Sequence, residues 1–339
     1  MKFGKKLQEQ VVPEWAHAYV DYTLLKRLIK REIEPGRTAS AARSRLAADD
    51  GPDPLTAAAE KWKKLLFAEI DKINSFFLAK EQELATLFTV KHQQEVNRLL
   101  RKGGAISEDD PALADFFAFV AVVDSLRKFT VLNYIGLLKI AKKHDKKSGL
   151  RLKADVAAAL QRLPFYTSNS LALLSTEVQC LASQILWYTT GVAPSPHDFS
   201  CAVCTNLLND PVVLSCTHKF CKSCLPKIGN ICPVCRKLFD SFDPANYQVD
   251  SVLKRFVEHT FGAAEVERAL PQRVMSDIEL GLHSVEAKPK TSLEGGGGHG
   301  VVSGIKAHKQ VGVGRRGVGL SELSLNIQFW RVGCAVLAL

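Results

Sequence analysis

Apolar residues recur at helical spacing along the first 190 residues of the chain. Between residues 55 and 101 successive members of this set are one, three, four or seven positions apart, at Leu65, Leu66, Ile70, Ile73, Phe76, Phe77, Leu84, Leu87 and Phe88. The same spacing runs from about 110 to 144, and shorter runs lie near 152–161 and 170–189. Such spacing predicts amphipathic helices that share one core. The sequence therefore predicts a mostly α-helical protein that begins with a bundle containing two long helices.

The first 54 residues predict a helical hairpin followed by a loop. Lys2 to Val12 suits one short helix, Pro13 breaks it, and Glu14 to Ile33 suits a second helix. Pro35–Gly36 is expected to end the hairpin. Residues 36–54 lack periodicity and are rich in Ala, Ser, Arg, Asp and Pro, so they predict a flexible loop.

The helical pattern stops near residue 190. Gly191 to Pro196 contains two prolines and predicts a linker. Four further segments come after it: short strands near Val212–Leu214 and Lys219–Phe220, a helix that begins near Cys221, and an amphipathic helix within Tyr247–Phe261. Residues 262–339 are rich in glycine and predict a low-complexity, disordered tail.

The chain has 339 residues, an apolar fraction of 46% and a net charge of +10. This composition permits a large core, and the charge favours an anionic partner: nucleic acid, anionic lipid or a phosphorylated small molecule. The opening MKFGKKLQEQ has no apolar signal segment, and no stretch is apolar and long enough to span a membrane. We therefore expect an intracellular protein of the cytoplasm or nucleus.

Seven of the nine cysteines and one histidine fall in one short run: Cys201, Cys204, Cys216, His218, Cys221, Cys224, Cys232 and Cys235. Four such ligands saturate one tetrahedral zinc ion, so eight predict two zinc sites. Disulfides are the alternative, but they suit short secreted chains with a signal peptide. Of the other two cysteines, Cys180 lies in an apolar helical pattern and predicts a small buried side chain, whereas Cys334 has no partner motif.

The order of these ligands, with the histidine fourth, resembles that of a RING finger; a PHD finger would place its histidine fifth. The resemblance implies that Cys201, Cys204, Cys221 and Cys224 hold one zinc ion, and that Cys216, His218, Cys232 and Cys235 hold the other. Both sites would be closed, which argues against a zinc hydrolase because no position is open for water.

A RING finger implies a ubiquitin ligase, which binds a ubiquitin-conjugating enzyme and presents its ubiquitin thioester to a substrate lysine. By position, Val203, Ile228 and Pro233 match the residues that contact the conjugating enzyme. Arg236 directly follows the last zinc ligand and matches the linchpin arginine that hydrogen-bonds both ubiquitin and the conjugating enzyme. For the apolar residues the alternative is ordinary packing of the zinc loops, and Leu225 suits that role alone. For Arg236 the alternative is an arginine that is merely solvated.

Lysines cluster towards the end of the second long helix, at Lys139, Lys142, Lys143, Lys146 and Lys147. Residues 139, 143 and 146 share one helix face, where like charges repel unless an anion is bound. The alternative is a solvated helix end, where the helix dipole favours cations. No aromatic residues alternate with these lysines as stacking platforms, so nucleic acid is not the expected partner.

Two segments resemble the opening and the lysine-rich helix of SPX domains: MKFGKKLQEQVVPEWAHAYVDYTLLKRLIK and NYIGLLKIAKKHDKKSG. SPX domains are helical sensors of inositol polyphosphates and pyrophosphates. The resemblance implies that the phosphates are held by Tyr22, Lys26, Lys139, Lys142, Lys143 and Lys146, with Lys2 as a further contact. It covers residues 1–165, which leaves 166–197 as a helix and linker, 198–240 as the RING finger and 241–261 as a helical extension.

An SPX domain followed by a RING finger resembles the plant nitrogen limitation adaptation proteins. This resemblance implies a ligase of phosphate and nitrate homeostasis that marks membrane phosphate or nitrate transporters for degradation. Its partners would be a ubiquitin-conjugating enzyme, ubiquitin and those transporters, with a homodimer left open. The alternatives are a non-catalytic scaffold in phosphate signalling and a nucleic-acid binder driven by charge.

Overall fold

The computed structural model of the chain describes residues 3–39, 53–102, 106–107, 109–239 and 242–262. Most of these residues are helical, and a small region rich in cysteine follows the helices. Lys2, residues 40–52 of the expected loop, Cys334 and residues 263–339 of the expected tail lie outside the described residues.

The main α-helices are numbered in chain order: α1 Phe3–Gln10, α2 Tyr22–Leu28, α3 Pro54–Leu87, α4 Gln93–Lys102, α5 Pro111–Ser148, α6 Leu152–Leu160, α7 Pro164–Thr167, α8 Ser170–Thr190 and α9 Ser251–Phe261. The two long helices predicted from the sequence are confirmed. A π-helical turn at Phe88–His92 joins α3 to α4. The carboxylates of Asp53 and Asp110 cap α3 and α5, where they accept hydrogen bonds from the N–H groups of Thr56 and Ala112.

The prediction of one helix from Glu14 to Ile33 is wrong. A 3-10 helix spans Pro13–Ala18, the chain is extended at Tyr19, and Asp21 caps the new helix α2. The break is stabilised from outside the segment, because the N–H of Val20 donates to Oδ1 of the buried Asn133 on α5, at 2.8 Å. A contact with α5 thus outweighs the helical preference of the local sequence.

The prediction that Pro35–Gly36 ends the hairpin is also wrong. A π-helical turn spans Ile29–Ile33, and residues 34–39 continue as a helix. Proline lacks the N–H that an α-helix interior uses, and Pro35 lies two residues after the π-helical turn, where the backbone hydrogen-bond pattern already departs from that of an α-helix. Gly36 is buried, and a Cβ atom at this position would lie 3.3 Å from the carbonyl oxygen of Pro54. The glycine therefore allows this helix to approach the start of α3.

The first hydrophobic core lies between α2, α3 and α5. Leu25, Trp62, Phe77 and Phe129 are among its fully buried side chains. Burying each such side chain contributes about 1.5–3 kcal/mol. Helix α5 runs through this core, so its carboxyl end and the lysines on it have a fixed position relative to α2.

A second core lies within the cysteine-rich region. Strands β1 Pro211–Val213 and β2 Lys219–Cys221 pair antiparallel, with Val212 opposite Phe220, and a 3-10 helix comes next at Lys222–Lys227. The predicted strands are confirmed to within one residue. Phe256 and Phe261 of α9 pack on Phe199, with ring centroids 4.7 and 5.8 Å apart. Ala172 and Cys180 of α8 also belong to this core, and Cys180 is 2% exposed as predicted.

Candidate metal centres and basic surface

The eight predicted metal ligands form two clusters of four. Cys201, Cys204, Cys221 and Cys224 lie together, and so do Cys216, His218, Cys232 and Cys235. Within each cluster one ligand atom from each residue lies within 4.8 Å of the others. Both clusters combine residues that are distant in the sequence, and the pairs alternate between the clusters as the resemblance to a RING finger implied.

Two similar turns position the cysteine pairs. The N–H of Thr205 donates to the carbonyl of Cys201, and the N–H of Arg236 donates to the carbonyl of Cys232, each at 2.8 Å. Thr205 and Arg236 have φ angles of 61° and 59°, in the left-handed region. Each turn folds a Cys-x-x-Cys segment back on itself, which directs its two thiols to the same point.

The electrostatics of the first cluster favour a cation. A hydrogen bond from the Cys221 thiol lowers the pKa of Cys201 to about 4, and the same contact raises the pKa of Cys221. Burial raises the pKa of Cys224 to about 11. Four sulfur atoms this close cannot all ionise unless a positive charge lies between them, and thiolates are the ligands that zinc prefers. The donor set therefore fits a zinc ion.

The second cluster shows the same division of charge. A hydrogen bond from the Cys216 thiol lowers the pKa of Cys232, whereas burial raises the pKa of Cys216. Nδ1 of His218 lies 3.3 Å from Sγ of Cys216. The mixture of three thiols and one imidazole is a common structural zinc site.

The residues predicted to contact a conjugating enzyme lie around these clusters. Val203 and Ile228 are half-buried, whereas Pro233 and Arg236 are exposed. Leu225 is fully buried and packs in the second core. The structure adds Ile231 and Val234, which are 44% and 39% exposed on either side of Cys232 and Pro233. Their positions beside zinc ligands could have identified them in the sequence.

The lysine-rich end of α5 has one buried face and one exposed face. Ile140, Ala141 and His144 face the core. Among the lysines predicted to bind phosphate, Lys139, Lys142 and Lys146 are exposed and Lys143 is half-buried.

The amino-terminal helices lie beside this face. The ammonium group of Lys139 lies 4.5 Å from the centroid of the Phe3 ring, and the rings of Phe3 and Tyr22 are 5.3 Å apart. Lys26 is exposed one turn after Tyr22 on α2. Burial raises the pKa of Tyr22, so its hydroxyl stays protonated and can donate a hydrogen bond. The structure thus brings the two predicted basic segments to one surface, which we call the basic surface (Tyr22, Lys26, Lys139, Lys142, Lys143 and Lys146).

Two residues in the lysine run have structural contacts that the sequence did not reveal. The carboxylate of Asp145 accepts hydrogen bonds from the N–H groups of Leu152 and Lys153, each at 2.9 Å, and so caps α6. Lys147 forms an ion pair with Glu34 at 3.0 Å, and its carbonyl accepts a hydrogen bond from Arg37 at 3.2 Å. These contacts join the end of α5 to α6 and to the helix at residues 34–39.

His144 lies below the basic surface. Its ring stacks on Trp62 with centroids 4.4 Å apart, and burial lowers its pKa. The histidine is therefore neutral in the core and adds no charge to the basic surface. A membrane-crossing helix is not found within the described residues, since none of their helices combines the required length and apolar character.

Comparisons with known proteins identify both regions. Residues 1–51 match the SPX domain family, and residues 200–235 match the zinc finger of C3HC4 type, or RING finger. The chain is therefore expected to bind zinc through its RING finger.

Relatives match about half of the chain. SPX domain-containing protein 5 of Oryza sativa subsp. indica is 31% identical over 189 residues, which cover 55% of this chain and 67% of that protein. SPX domain-containing protein 6 of Oryza sativa subsp. japonica is 31% identical over 57% of this chain and 74% of that protein. A solved SPX domain, that of Chaetomium thermophilum glycerophosphodiester phosphodiesterase 1 with inositol hexakisphosphate, aligns over 55% of this chain and 99% of its own with 22% identity and a TM-score of 0.41. The chain belongs to the SPX domain-containing proteins, and it also carries a C3HC4 RING finger.

Proposed function

We propose that the chain is a RING-type ubiquitin-protein ligase whose SPX domain binds inositol polyphosphates or pyrophosphates. The observation that carries the proposal is the position of Arg236. It is exposed, directly follows the last ligand of a cluster with RING order, and comes three positions after the exposed Pro233. A RING finger used for folding alone has no need of a cation at this position.

Each of the two clusters would hold one zinc ion, which makes two per chain. Cys201, Cys204, Cys221 and Cys224 form the first site, and Cys216, His218, Cys232 and Cys235 form the second. Zinc bound there would crosslink the loops around two strands of only three residues each. Both sites are filled by protein ligands, so the metal has a structural role.

Ubiquitin transfer in this proposal depends on positioning. Val203, Ile228 and Pro233 would contact the conjugating enzyme. The guanidinium group of Arg236 would donate to carbonyl groups of that enzyme and of ubiquitin, a task that suits its planar set of donors. Holding the thioester in one orientation lowers the barrier to attack by a substrate lysine, and the RING finger itself supplies no nucleophile.

The basic surface would bind the regulatory ligand. Lys26, Lys139, Lys142, Lys143 and Lys146 supply ammonium groups, and Tyr22 supplies a hydroxyl donor; Lys2 is proposed as a further contact. Charge-assisted hydrogen bonds from several lysines are the chemistry that a densely phosphorylated small molecule requires. The similarity to SPX proteins supports this ligand class over nucleic acid.

The layout of an SPX domain before a RING finger supports a closer assignment, to the nitrogen limitation adaptation type of ligase. The substrates would then be phosphate or nitrate transporters in a membrane, and the pathway would be phosphate and nitrate homeostasis. Co-purification of the chain with such transporters, compared with and without phosphate starvation, tests this assignment.

Ligase activity is tested by autoubiquitination with a broad panel of conjugating enzymes. We expect the wild-type chain to form ubiquitin conjugates and the Arg236→Ala variant to lose most of this activity while it keeps its zinc. Arg255→Ala, which removes another exposed arginine from α9, is the matched control and should retain activity. Equal inactivity of the wild type and Arg236→Ala across the panel would refute the ligase function and favour a scaffold.

A further inference from the structure

Lys237 links the RING finger to the helical domain. Its ammonium group donates hydrogen bonds to the carbonyl of Tyr166 and, at 3.2 and 3.1 Å, to the carbonyl and hydroxyl of Ser215. The same group lies 4.1 Å from the centroid of the Tyr166 ring. One side chain thus connects the turn at Cys232–Cys235 to the loop between β1 and β2 and to α7.

Tyr166 returns this contact from the helical domain. Its hydroxyl donates to the carbonyl of Leu238 at 2.9 Å. Its ring packs against Tyr134 of α5 with centroids 4.8 Å apart, and the residue is only 6% exposed. We call this set of contacts between Tyr166, Lys237 and Leu238 the clamp.

The clamp holds the two residues that directly follow Arg236. The backbone around them closes on itself, because the N–H of Cys232 donates to the carbonyl of Lys237 at 2.9 Å and the N–H of Arg236 donates back to Cys232. Arg236 is exposed. The direction of its side chain therefore depends on the position of this backbone turn.

We propose that Tyr166 is a positioning residue for ubiquitin transfer, which acts through the clamp to fix the orientation of Arg236. This inference rests on the proposed ligase function. It extends the catalytic machinery beyond the RING finger, since Tyr166 belongs to α7 and packs on the helix that carries the basic surface. A RING finger without the clamp would still bind the conjugating enzyme, but Arg236 would be oriented less well.

The test measures binding and transfer separately with the full chain. Tyr166→Phe keeps the ring and removes the hydroxyl, which donates to the carbonyl of Leu238 and also interacts with the hydroxyl of Tyr134. We expect single-turnover discharge of ubiquitin to free lysine, at saturating ligase, to slow about fivefold, the effect of one hydrogen bond. The Kd for the conjugating enzyme and the zinc content should not change.

A second, separate variant is Lys237→Met, which removes the hydrogen bonds from the Lys237 ammonium group to Tyr166 and Ser215. We expect it to slow discharge more than Tyr166→Phe does. Tyr188→Phe, which removes a hydroxyl from α8 away from the clamp, is the matched control.

A double variant distinguishes positioning from a general structural effect. If Tyr166 acts through Arg236, then Tyr166→Phe should cause no further loss in the Arg236→Ala background. A loss that persists in that background, or wild-type discharge by both Tyr166→Phe and Lys237→Met, would overturn the inference while the ligase function stands. A wild-type chain that is itself inactive would overturn the ligase function and this inference with it.

Discussion

Individual residues in the lysine run at the end of α5 have different tasks. Lys139 and Lys142 face outward on the basic surface, whereas Lys147 pairs with Glu34 and His144 stacks on Trp62 in the core. Asp145 is the one acid in the run, and its carboxylate caps the next helix. Only some of the positive charge is therefore available to a ligand.

Replacement of Lys143 by alanine tests the basic surface. One charge-assisted hydrogen bond contributes about 1.5–3 kcal/mol, so we expect binding of inositol hexakisphosphate to weaken by about tenfold or more. Titration calorimetry measures the affinity, and zinc content should not change. Lys63→Ala, which removes from α3 a lysine whose side chain is 41% exposed, is the control and should bind normally. Undiminished binding by Lys143→Ala would contradict the assignment of the site.

The helices show what can be predicted at the scale of elements. Periodicity predicted the long helices and α8 to within a few residues, because each buries one continuous face. It failed for Glu14–Ile33, where Trp15, Tyr19 and Tyr22 have helical spacing but a hydrogen bond between Val20 and Asn133 fixes an extended break. That partner is distant in the sequence, so no local pattern could indicate it.

The joint between α5 and α6 provides a test of an individual cap. Gly149 ends α5 with a φ angle of 86°. The carboxylate of Asp145 then accepts hydrogen bonds from the N–H groups of Leu152 and Lys153, the first two residues of α6. We expect Asp145→Ala to lower the free energy of unfolding by about 1–2 kcal/mol, because these two donors lose their acceptor. Thermal or urea unfolding measures the change. Asp71→Ala on the exposed face of α3 should have little effect, and equal stability of the two variants would show that the cap is unimportant.

At the scale of the whole molecule, two cores meet at α8. Leu171 and Leu174 of this helix belong to the first core, whereas Ala172 and Cys180 belong to the second. The order of the cysteines predicted the composition of the two metal clusters. It could not predict the clamp, because Tyr166 and Lys237 belong to different patterns and become neighbours only when the two cores pack together.

Removal of zinc should affect the two cores differently. The second core contains two strands of three residues each, so it depends on the metal ligands, whereas the first core contains none of them. We expect a chelator to release two zinc ions per chain and to abolish ubiquitin transfer while most of the helical circular dichroism remains. Metal analysis and far-ultraviolet circular dichroism follow the two effects. Loss of most of the helical signal would contradict the independence of the first core.

The left-handed backbone at Arg236 places the stability of the RING finger in conflict with its proposed ubiquitin transfer. A residue with a side chain pays about 1 kcal/mol for this conformation, whereas glycine adopts it freely. Glycine at position 236 would therefore make this turn more stable than arginine does. Replacing Arg236 with glycine to make the RING finger more heat-resistant would therefore remove the side chain on which its proposed ubiquitin transfer depends.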